Sequence, residues 1–326
     1  MKRFWLQWSI ASCLALAAAC LPTVRAQDFP RRPISLIVSF SPGGVTDIVA
    51  RMLADPLSKE LGQPVIVENI SGAGGNIAFI KVAQAAPDGY TLLLASTATV
   101  TNPALQPDKR FDPVKSYSAI GYIGSIPFWL LVNRNQPAPA NVPQLVQQAR
   151  IAPGHLTYGS GGVGTASHLG LEYFKATEQL NILHIPYKGQ SAAVADLLGG
   201  TVGMVFMPIS GTEELVRSGK LRALATTSRS RVPGFPDVPT FAEAGFPAMD
   251  VSGWLGLVAP AGTPAPILDK LGKALNKTLN QPDFKARLTE RGLEGRAMSP
   301  PELTQYIEHE VARWKDVVSK AGIKVD

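Results

Sequence analysis

The strongest constraint on the fold is the alternation of apolar, β-rich segments with segments of helical periodicity. The first units are Ile34–Phe40 followed by Ile48–Leu61, and Val65–Glu68 followed by Asn76–Ala85. Later segments continue the alternation: strands are predicted near 90–95, 156–158, 183–185, 202–206 and 221–225, and helices near 142–150, 166–176, 192–198 and 212–217. Repeated β-α units are typical of an α/β fold with a mostly parallel sheet flanked by helices. Three long helical segments end the chain: 265–279, 283–291 and 301–321.

The N-terminal residues predict export. Lys2-Arg3 precedes an apolar stretch, Ile10–Leu21, which is shorter than a membrane-spanning helix. Val24-Arg25-Ala26 offers small residues on the N-terminal side of a cleavage site. We therefore predict a signal peptide of residues 1–26, cleaved near Ala26, and a periplasmic mature protein. A retained membrane anchor and lipidation at Cys20 are the alternatives.

Cysteine, histidine and charge content exclude several classes of function. Cys13 and Cys20 are the only cysteines and lie in the proposed signal peptide, which excludes thiol catalysis, disulfides and cysteine metal sites from the mature chain. The four histidines lack metal-ligand spacing, and the sequence predicts no metal site and no cofactor. Removing Lys2, Arg3 and Arg25 lowers the formal net charge from +6 to +3, which is too small and too scattered for nucleic-acid binding.

Length and two short apolar segments predict two domains. Removing 26 of 326 residues leaves 300, which is long for a single core. The segments Phe128–Asn133 and Val251–Ala259 adjoin proline-rich or turn-rich stretches and resemble crossings between domains. We predict one domain from residues 27–128 plus 253–326, and an inserted domain from residues 129–252. Two crossings between two α/β domains form a hinge with a cleft.

Four predicted strand-to-helix loops are rich in glycine and small hydroxyl residues: Ser41–Asp47, Asn69–Asn76, Gly159–His168 and Tyr187–Ser191. Ligands of open parallel sheets bind beyond the carboxyl ends of the strands, where such loops lie. Glycine allows a ligand to approach the backbone, and free N–H groups at a helix start favour an anion. The same composition also serves ordinary turns and helix caps. Its recurrence at four equivalent positions favours binding of a small ligand with carboxylates.

Several side chains in these loops have two interpretations. Asp47 is either a first-turn acid that complements the helix dipole or a contact for a ligand amino group. Thr165 and Ser167 are candidate helix caps. His168 lies one turn into a helix, where a packing role competes with a binding role, and Lys188 is either a solvated surface residue or a charge in the cleft.

Sequence motifs for enzymes are weak. Gly159–Gly164 matches the dinucleotide pattern G-x-G-x-x-G, but the next strand ends in His184–Tyr187 without the acid that would bind the ribose. The sequence contains neither a phosphate-binding loop ending in Gly-Lys-Ser/Thr nor a G-x-S-x-G nucleophile elbow. A hydrolase using Ser160 and His168 would need a third catalytic residue, for which the sequence offers no candidate. A nucleotide-dependent small-molecule enzyme is therefore kept only as an alternative.

Longer motifs carry a family resemblance over nearly the whole mature chain. They include PRRPISLIVSFSPGGVTDIVAR, VIVENISGAGGNIA, AAPDGYTLLLAS, FDPVKSYSAIGYIG, GHLTYGSGGVGTASHLGLEYF, HIPYKGQSAAVADLLGG, GKLRALATTSRSRVPGFPDVPTFAEAG and APAGTP. In this order and spacing the chain resembles the Bug family, the periplasmic solute receptors of tripartite tricarboxylate transporters.

The resemblance implies a two-domain, Venus-flytrap fold of the periplasmic-binding-protein type and a non-catalytic receptor. It implies that a small organic carboxylate or amino-acid-like solute is enclosed between lobes and delivered by a monomer to transporter membrane subunits. The ligand would be held mostly by backbone N–H groups and small side chains. The matching ligand-binding positions are Ser41, Pro42, Gly43, Gly44, Asp47, Ala73, Gly74, Gly75, Asn76, Ser160, Gly164, Thr165, Ser167 and His168, with Tyr187 and Lys188.

Three positions depart from the family pattern. Ser41 replaces a proline or aromatic residue, Gly203 replaces an aspartate, and Asn69-Ile70-Ser71 replaces a lead-in of the N-R-P type. The glycine framework is unaffected, so the departures bear on which solute is bound and leave the fold prediction unchanged. A receptor that serves only as a sensor, with a signalling partner, is a further alternative.

Overall fold

The computed structural model describes residues 29–323. The predicted signal peptide therefore lies outside the described residues. Within residues 29–323, no helix combines the length and the apolar character needed to cross a membrane. The described chain folds into two β-sheets flanked by helices.

The larger sheet has six strands in the order β11-β4-β10-β3-β1-β2. Their bounds are β1 Ile34–Val38, β2 Val65–Asn69, β3 Thr91–Ser96, β4 Tyr117–Ile126, β10 Gly253–Pro260 and β11 Glu294–Gly295. Parallel pairing is confined to β1, β2 and β3, since β10 pairs antiparallel with both β3 and β4.

The smaller sheet has five strands in the order β7-β6-β8-β5-β9. Their bounds are β5 Phe128–Asn133, β6 Thr157–Ser160, β7 Leu183–Pro186, β8 Met204–Pro208 and β9 Leu221–Thr226. Here β6 pairs parallel with β7 and β8, whereas β5 pairs antiparallel with β8 and β9.

Both sheets are therefore mixed, and the prediction that each would be mostly parallel was too simple. The four glycine-rich loops all follow parallel strands, namely β1, β2, β6 and β7. The antiparallel strands β5 and β10 are the segments where the chain enters one sheet from the other. The right-handed crossover rule applies to parallel strands that a β-α-β unit joins within one sheet. A strand that arrives from another sheet is not subject to this rule and can run antiparallel to its neighbours.

Helices cover both faces of the sheets. Their bounds are α1 Val45–Leu61, α2 Asn76–Ala83, α3 Thr97–Leu105, α4 Val142–Ile151, α5 Ala166–Glu178, α6 Gln190–Gly199, α7 Glu213–Arg217, α8 Ala265–Leu279, α9 Pro282–Glu290 and α10 Pro300–Ala321. A short 3-10 turn, Ala73–Gly75, precedes α2. The helix α1 ends at Gly62, whose φ of 73° suits glycine and lets its N–H bond the Ser58 carbonyl.

The chain passes between the sheets at two places. β4 and β5 are joined only through Pro127, and residues 227–252 connect β9 to β10. The smaller sheet therefore consists of consecutive strands, and the larger sheet contains strands from both sides of that segment. The exact domain boundaries at residues 128 and 252 stay a prediction.

The apolar core has three parts. One part lies between the larger sheet and α1, α8 and α9, and a second lies between the smaller sheet and α6. The third, central part contains residues of both sheets together with α2, α3, α4, α5 and α10. Because α10 packs against α3, β4 and α5, the last helix contacts elements on both sides of the crossings.

Candidate functional site

A cavity of about 870 Å³ lies between the two sheets. Its lining includes the starts of α1, α3 and α5, the 3-10 turn before α2, and the chain crossings at Ile126–Phe128 and Gly253–Leu255. The first four N–H groups of an α-helix have no acceptor within the helix and carry the positive end of its dipole. The cavity therefore collects several backbone sites suited to an anion.

The first glycine-rich loop borders the cavity through Gly43, Gly44 and the first residues of α1. Gly43 has a φ of +90°, and its N–H donates to Asp47 Oδ2 at 2.9 Å. Gly44 is the N-cap of α1 and provides no capping side chain, which leaves the first turn open to a ligand. Ser41 and Pro42 are exposed and are not among the residues that line the cavity.

Asp47 lies behind this loop and is buried, with 3% of its surface exposed. Its Oδ2 accepts from Gly43 N–H and from Arg51 Nε at 3.1 Å, and its Oδ1 accepts from Asn69 Nδ2 at 2.9 Å. Burial raises the pKa of this carboxyl, but the hydrogen bonds from Arg51, Gly43 and Asn69 outweigh burial, and the pKa is lower than the ordinary value. Asp47 therefore lies behind the loop as a charged group whose hydrogen bonds are already formed.

The second loop is a tight turn in which Ala73, Gly74 and Gly75 have positive φ angles of 47°, 64° and 106°. Ala73, Gly74 and Asn76 line the cavity. Gly75 is buried, and a Cβ there would lie 2.9 Å from the Phe79 ring, so packing below the loop requires glycine.

Asn102 of α3 supports the second loop. Its Nδ2 donates to the Gly74 carbonyl at 2.7 Å and to Asn76 Oδ1 at 3.1 Å. Asn102 also lines the cavity. Two strand-to-helix junctions of the larger sheet are therefore linked by one amide side chain.

The start of α3 is a part of the site that the sequence analysis missed. Ser96, Thr97, Ala98 and Thr101 line the cavity, and Thr97 Oγ1 accepts from the backbone N–H of Trp254 at 3.0 Å. The available signal was a serine at the end of the apolar strand LLLAS, in N-cap position. It was obscured because the following residues TATVTNP are mostly β-branched and include a proline, and such residues are poor helix formers.

The third loop contributes Gly164 and Thr165 to the cavity wall, and the other predicted residues lie behind it. Thr165 Oγ1 caps α5 by accepting from His168 N–H at 3.3 Å, and His168 Nδ1 accepts from Gly164 N–H at 3.1 Å. Ser167 is buried, and its Oγ lies 3.2 Å from Thr165 Oγ1. These bonds hold the loop in place but occupy the Gly164 N–H.

Ser160 contacts the half-buried ring of His184 below the third loop, with 2.7 Å between Ser160 Oγ and His184 Nε2. His184 is stacked between His168, at 4.0 Å between ring centroids, and Tyr158, at 4.7 Å. Burial lowers the pKa of His168 and lowers that of His184 to about 4. Ser160 has no exposed surface, so this Ser-His pair is not accessible to a substrate as a nucleophile.

The fourth loop contributes less to the cavity than the sequence predicted. Tyr187 is half-buried and its hydroxyl donates to Asp196 at 2.7 Å, while Lys188 is exposed. Burial and the bond to Asp196 raise the pKa of Tyr187 to about 12. Gln190, the first residue of α6, is the residue of this segment that lines the cavity.

Seven of the predicted positions thus border the cavity: Gly43, Gly44, Ala73, Gly74, Asn76, Gly164 and Thr165. The others, Ser41, Pro42, Asp47, Gly75, Ser160, Ser167, His168, Tyr187 and Lys188, lie beside or behind these loops, and their contact with a ligand stays a prediction. Residues 29–323 contain no group of three or more His, Cys, Asp or Glu side chains that could hold a metal ion.

Comparison with solved structures identifies the architecture. The chain is similar to the periplasmic binding protein BugD, with 36% identity, a TM-score of 0.73, and 91% of this chain and 99% of that chain covered. It is also similar to an R. palustris protein solved with adipate, with 34% identity, a TM-score of 0.76, and coverages of 91% and 99%.

A third similar structure is MatC from Rhodopseudomonas palustris with bound malate. It shares 34% identity and a TM-score of 0.72, with 89% of this chain and 100% of that chain covered. The two-lobe fold of periplasmic binding proteins is therefore shown for this chain. Residues 49–323 match the family model described as tripartite tricarboxylate transporter family receptor. The chain belongs to the tripartite tricarboxylate transporter receptor family, to which Bug proteins also belong.

Proposed function

We propose that this protein is a non-catalytic periplasmic receptor. It captures a small carboxylate between its two lobes and, as a monomer, delivers it to the membrane subunits of a tripartite tricarboxylate transporter. The observation that carries the proposal is the set of helix starts that meet at one cavity between the sheets. Adipate and malate in the related structures support a carboxylate as ligand.

The energy available from such a site is sufficient for a receptor. Each helix-start contact contributes roughly 0.3–1 kcal/mol when exposed and up to about 2 kcal/mol when partly buried. Hydrogen bonds to a charged group add roughly 1.5–3 kcal/mol each. Several of these contacts, after the cost of ordering the ligand, reach micromolar affinity.

The first experiment is native mass spectrometry of the protein lacking residues 1–26, followed by thermal-shift and calorimetric screening of carboxylates. We expect a carboxylate to bind and to be recovered intact. A ligand at 100 times its dissociation constant should stabilise the protein by roughly 2.7 kcal/mol. Binding of a nucleotide, without binding of any carboxylate, would overturn the proposal.

Two substitutions of alanine by phenylalanine test whether the ligand binds in the cavity. Ala98 lines the cavity in the first turn of α3, whereas Ala286 is exposed on α9. The substitution Ala98→Phe should fill part of the cavity and weaken carboxylate binding by about tenfold or more, because the ligand must displace the ring. Ala286→Phe should leave binding unchanged. Equal binding by both variants would place the ligand elsewhere.

A further inference from the structure

The linker between α9 and α10, residues 291–299, lies beside the place where the chain passes between the sheets. Within this α9–α10 linker, β11 pairs antiparallel with Gly124 and Ser125 near the end of β4. On its other side, β4 pairs with β10, the strand that follows the second crossing. The α9–α10 linker therefore lies next to the strands that leave and re-enter the larger sheet at the two crossings.

The α9–α10 linker also touches the side of the smaller sheet at two points. A Cβ atom placed on Gly292 would lie 3.4 Å from the backbone nitrogen and the Cβ of Ser210, in the loop after β8, so these two loops are in contact. Arg229, in the segment that connects β9 to β10, acts on the Glu294 carboxyl through its charge and its backbone N–H. A rotation of one lobe against the other about the crossings would move Ser210 and Arg229 relative to the linker.

Glu294 is half-buried at this contact and has weak partners. Ser125 Oγ donates to its Oε2 at 3.3 Å, which is long for a hydrogen bond to a charged group. In the described part of the chain, no Lys or Arg side chain forms an ion pair with it. Burial raises the pKa of the Glu294 carboxyl above its ordinary value, and the opposing effects of Ser125 and Arg229 offset burial only in part. The ionised form is therefore costly in this position.

The elements that pack against β11 present neutral groups to it. A Cβ atom placed on Gly295 would lie 3.4 Å from Leu288 Cδ1 of α9, which is an apolar contact. Tyr122 of β4 is buried, and burial raises the pKa of its hydroxyl, which therefore stays neutral. The charged groups of this region are Arg229 in the connecting segment, Arg296 in the linker, and Glu310 in α10. Both arginines are exposed to solvent, so Glu294 is the group at this contact whose charge changes with pH.

We propose that protonation of Glu294 controls the arrangement of the two lobes. A neutral carboxyl favours the arrangement of this structure, whereas an ionised carboxylate favours arrangements that separate the linker from Ser210 and Arg229. Separation returns the carboxylate to water and removes the cost of its burial. Because the state with the higher carboxyl pKa binds the proton more readily, lowering the pH favours the arrangement described here. The inference goes beyond the proposed function, since it concerns the protein without ligand.

Distance measurements between the lobes test the inference. Residues 27–326 contain no cysteine, so two can be introduced and spin-labelled without competing sites. Lys59→Cys on α1 and Gln147→Cys on α4 place one label at an exposed position on each lobe. Pulsed electron paramagnetic resonance of the ligand-free protein then gives the distribution of label distances at pH 8 and pH 5. We expect the population with the distance of this structure to rise by about threefold or more, relative to the other arrangements, at pH 5.

A conservative variant assigns this pH response to one carboxyl. Glu294→Gln keeps the shape of the side chain but cannot ionise, so its distance distribution should be the same at both pH values and should resemble that of the wild type at pH 5. Glu290→Gln, at an exposed acid at the end of α9, is the matched control and should keep the wild-type response.

Three results would overturn the inference. The wild-type distribution could be the same at pH 8 and pH 5, or Glu294→Gln could keep the wild-type response. Loss of the response in Glu310→Gln, with Glu294→Gln still responsive, would assign the effect to the buried acid of α10. Since no ligand is added, none of these results bears on the receptor function, and a failed carboxylate screen would leave the inference standing.

Discussion

The Asp47 carboxylate joins the first glycine-rich loop to α1 and to the end of β2. It accepts from Gly43 in the loop, from Arg51 one turn further along α1, and from Asn69 at the end of β2. Because Asp47 is buried, removing its charge would leave donors facing a group that cannot accept from all of them. Its role is therefore to position the loop.

We predict that Asp47→Asn lowers the free energy of unfolding by roughly 1–3 kcal/mol. It should also weaken all bound carboxylates by a similar factor, because the loop backbone loses its support. Denaturant unfolding and calorimetry measure both effects. Asp55→Asn, on the exposed side of the same helix, is the matched control and should change stability by less than about 0.5 kcal/mol. Selective loss of amino-ligand binding in Asp47→Asn would instead mean that Asp47 touches the ligand.

Sequence patterns pointed to cavity-lining residues that have local signatures, and missed contacts between residues that are distant in sequence. Gly43, Gly74 and Gly164 lie in loops that their composition singled out and were assigned to the site through the family resemblance, and all three line the cavity. The contact of Ser160 with His184 spans 24 residues and depends on the parallel pairing of β6 with β7. A hydrolase pairing of Ser160 with His168 was considered from sequence, yet His168 instead accepts from Gly164 N–H.

The third loop and α5 rest on a stack of three rings, Tyr158, His184 and His168. Glu172 accepts from the Tyr158 hydroxyl and from Lys175 Nζ, each at 2.6 Å, so its charge is already paired. The pKa of His184 is lowered from 6.5 to about 4, first by burial and then by the neighbouring His168. The unfolded ring takes up a proton near pH 6.5, whereas the folded ring stays neutral to about pH 4. More protons are therefore bound by the unfolded state between these values, and stability falls as pH is lowered.

We predict that His184→Gln flattens this pH dependence, by roughly 1–2 kcal/mol between pH 6.5 and 4.5 after solvent screening of the half-buried ring. The measurement is the free energy of unfolding in denaturant at several pH values. His155→Gln, at an exposed histidine, should keep the wild-type profile. Identical profiles for wild type and His184→Gln would show that the stacked ring does not govern acid stability.

At the scale of elements, local periodicity predicted the helices well and the sheet pairing poorly. The predicted helix 265–279 coincides with α8, Ala265–Leu279. The helix α3 was missed because most of its residues are weak helix formers, whereas its packing against α10 and β3 stabilises the helix. The antiparallel directions of β5 and β10 are set by the path of the chain between sheets, which local patterns do not encode.

Besides the two chain crossings, α10 connects helices that follow strands of the larger and of the smaller sheet. α10 packs against α3 and α5, two helices whose first turns line the cavity. Arg313 of α10 pairs with Glu310 at 3.1 Å and with Asp250, in the segment before β10, at 2.9 Å. Its guanidinium also lies 5.6 Å from the ring of Tyr173 in α5. A single side chain thus connects the C-terminal helix to α5 and to the segment before β10.

Glu310 makes this connection sensitive to substitution. It is 1% exposed, and burial raises its pKa, against the opposing effect of the Arg313 charge. Removing Arg313 would leave the carboxylate buried and without its cationic partner, although Trp314 Nε1 still donates to it at 3.1 Å. Breaking a buried pair in this way costs about 3–5 kcal/mol, whereas replacing both members can be nearly neutral.

We therefore predict that Arg313→Met lowers the free energy of unfolding by about 3–5 kcal/mol at pH 8. The loss should be smaller at pH 5, because a carboxyl whose folded pKa is raised further takes up a proton in the folded state as pH falls. The double variant Glu310→Gln/Arg313→Met should recover much of the stability and should lose the pH dependence of the single variant. Denaturant unfolding at both pH values measures these effects. If the double variant is as unstable as Arg313→Met at pH 8, the cost comes from lost packing of the arginine stem on Tyr173, and the buried charge is not its source.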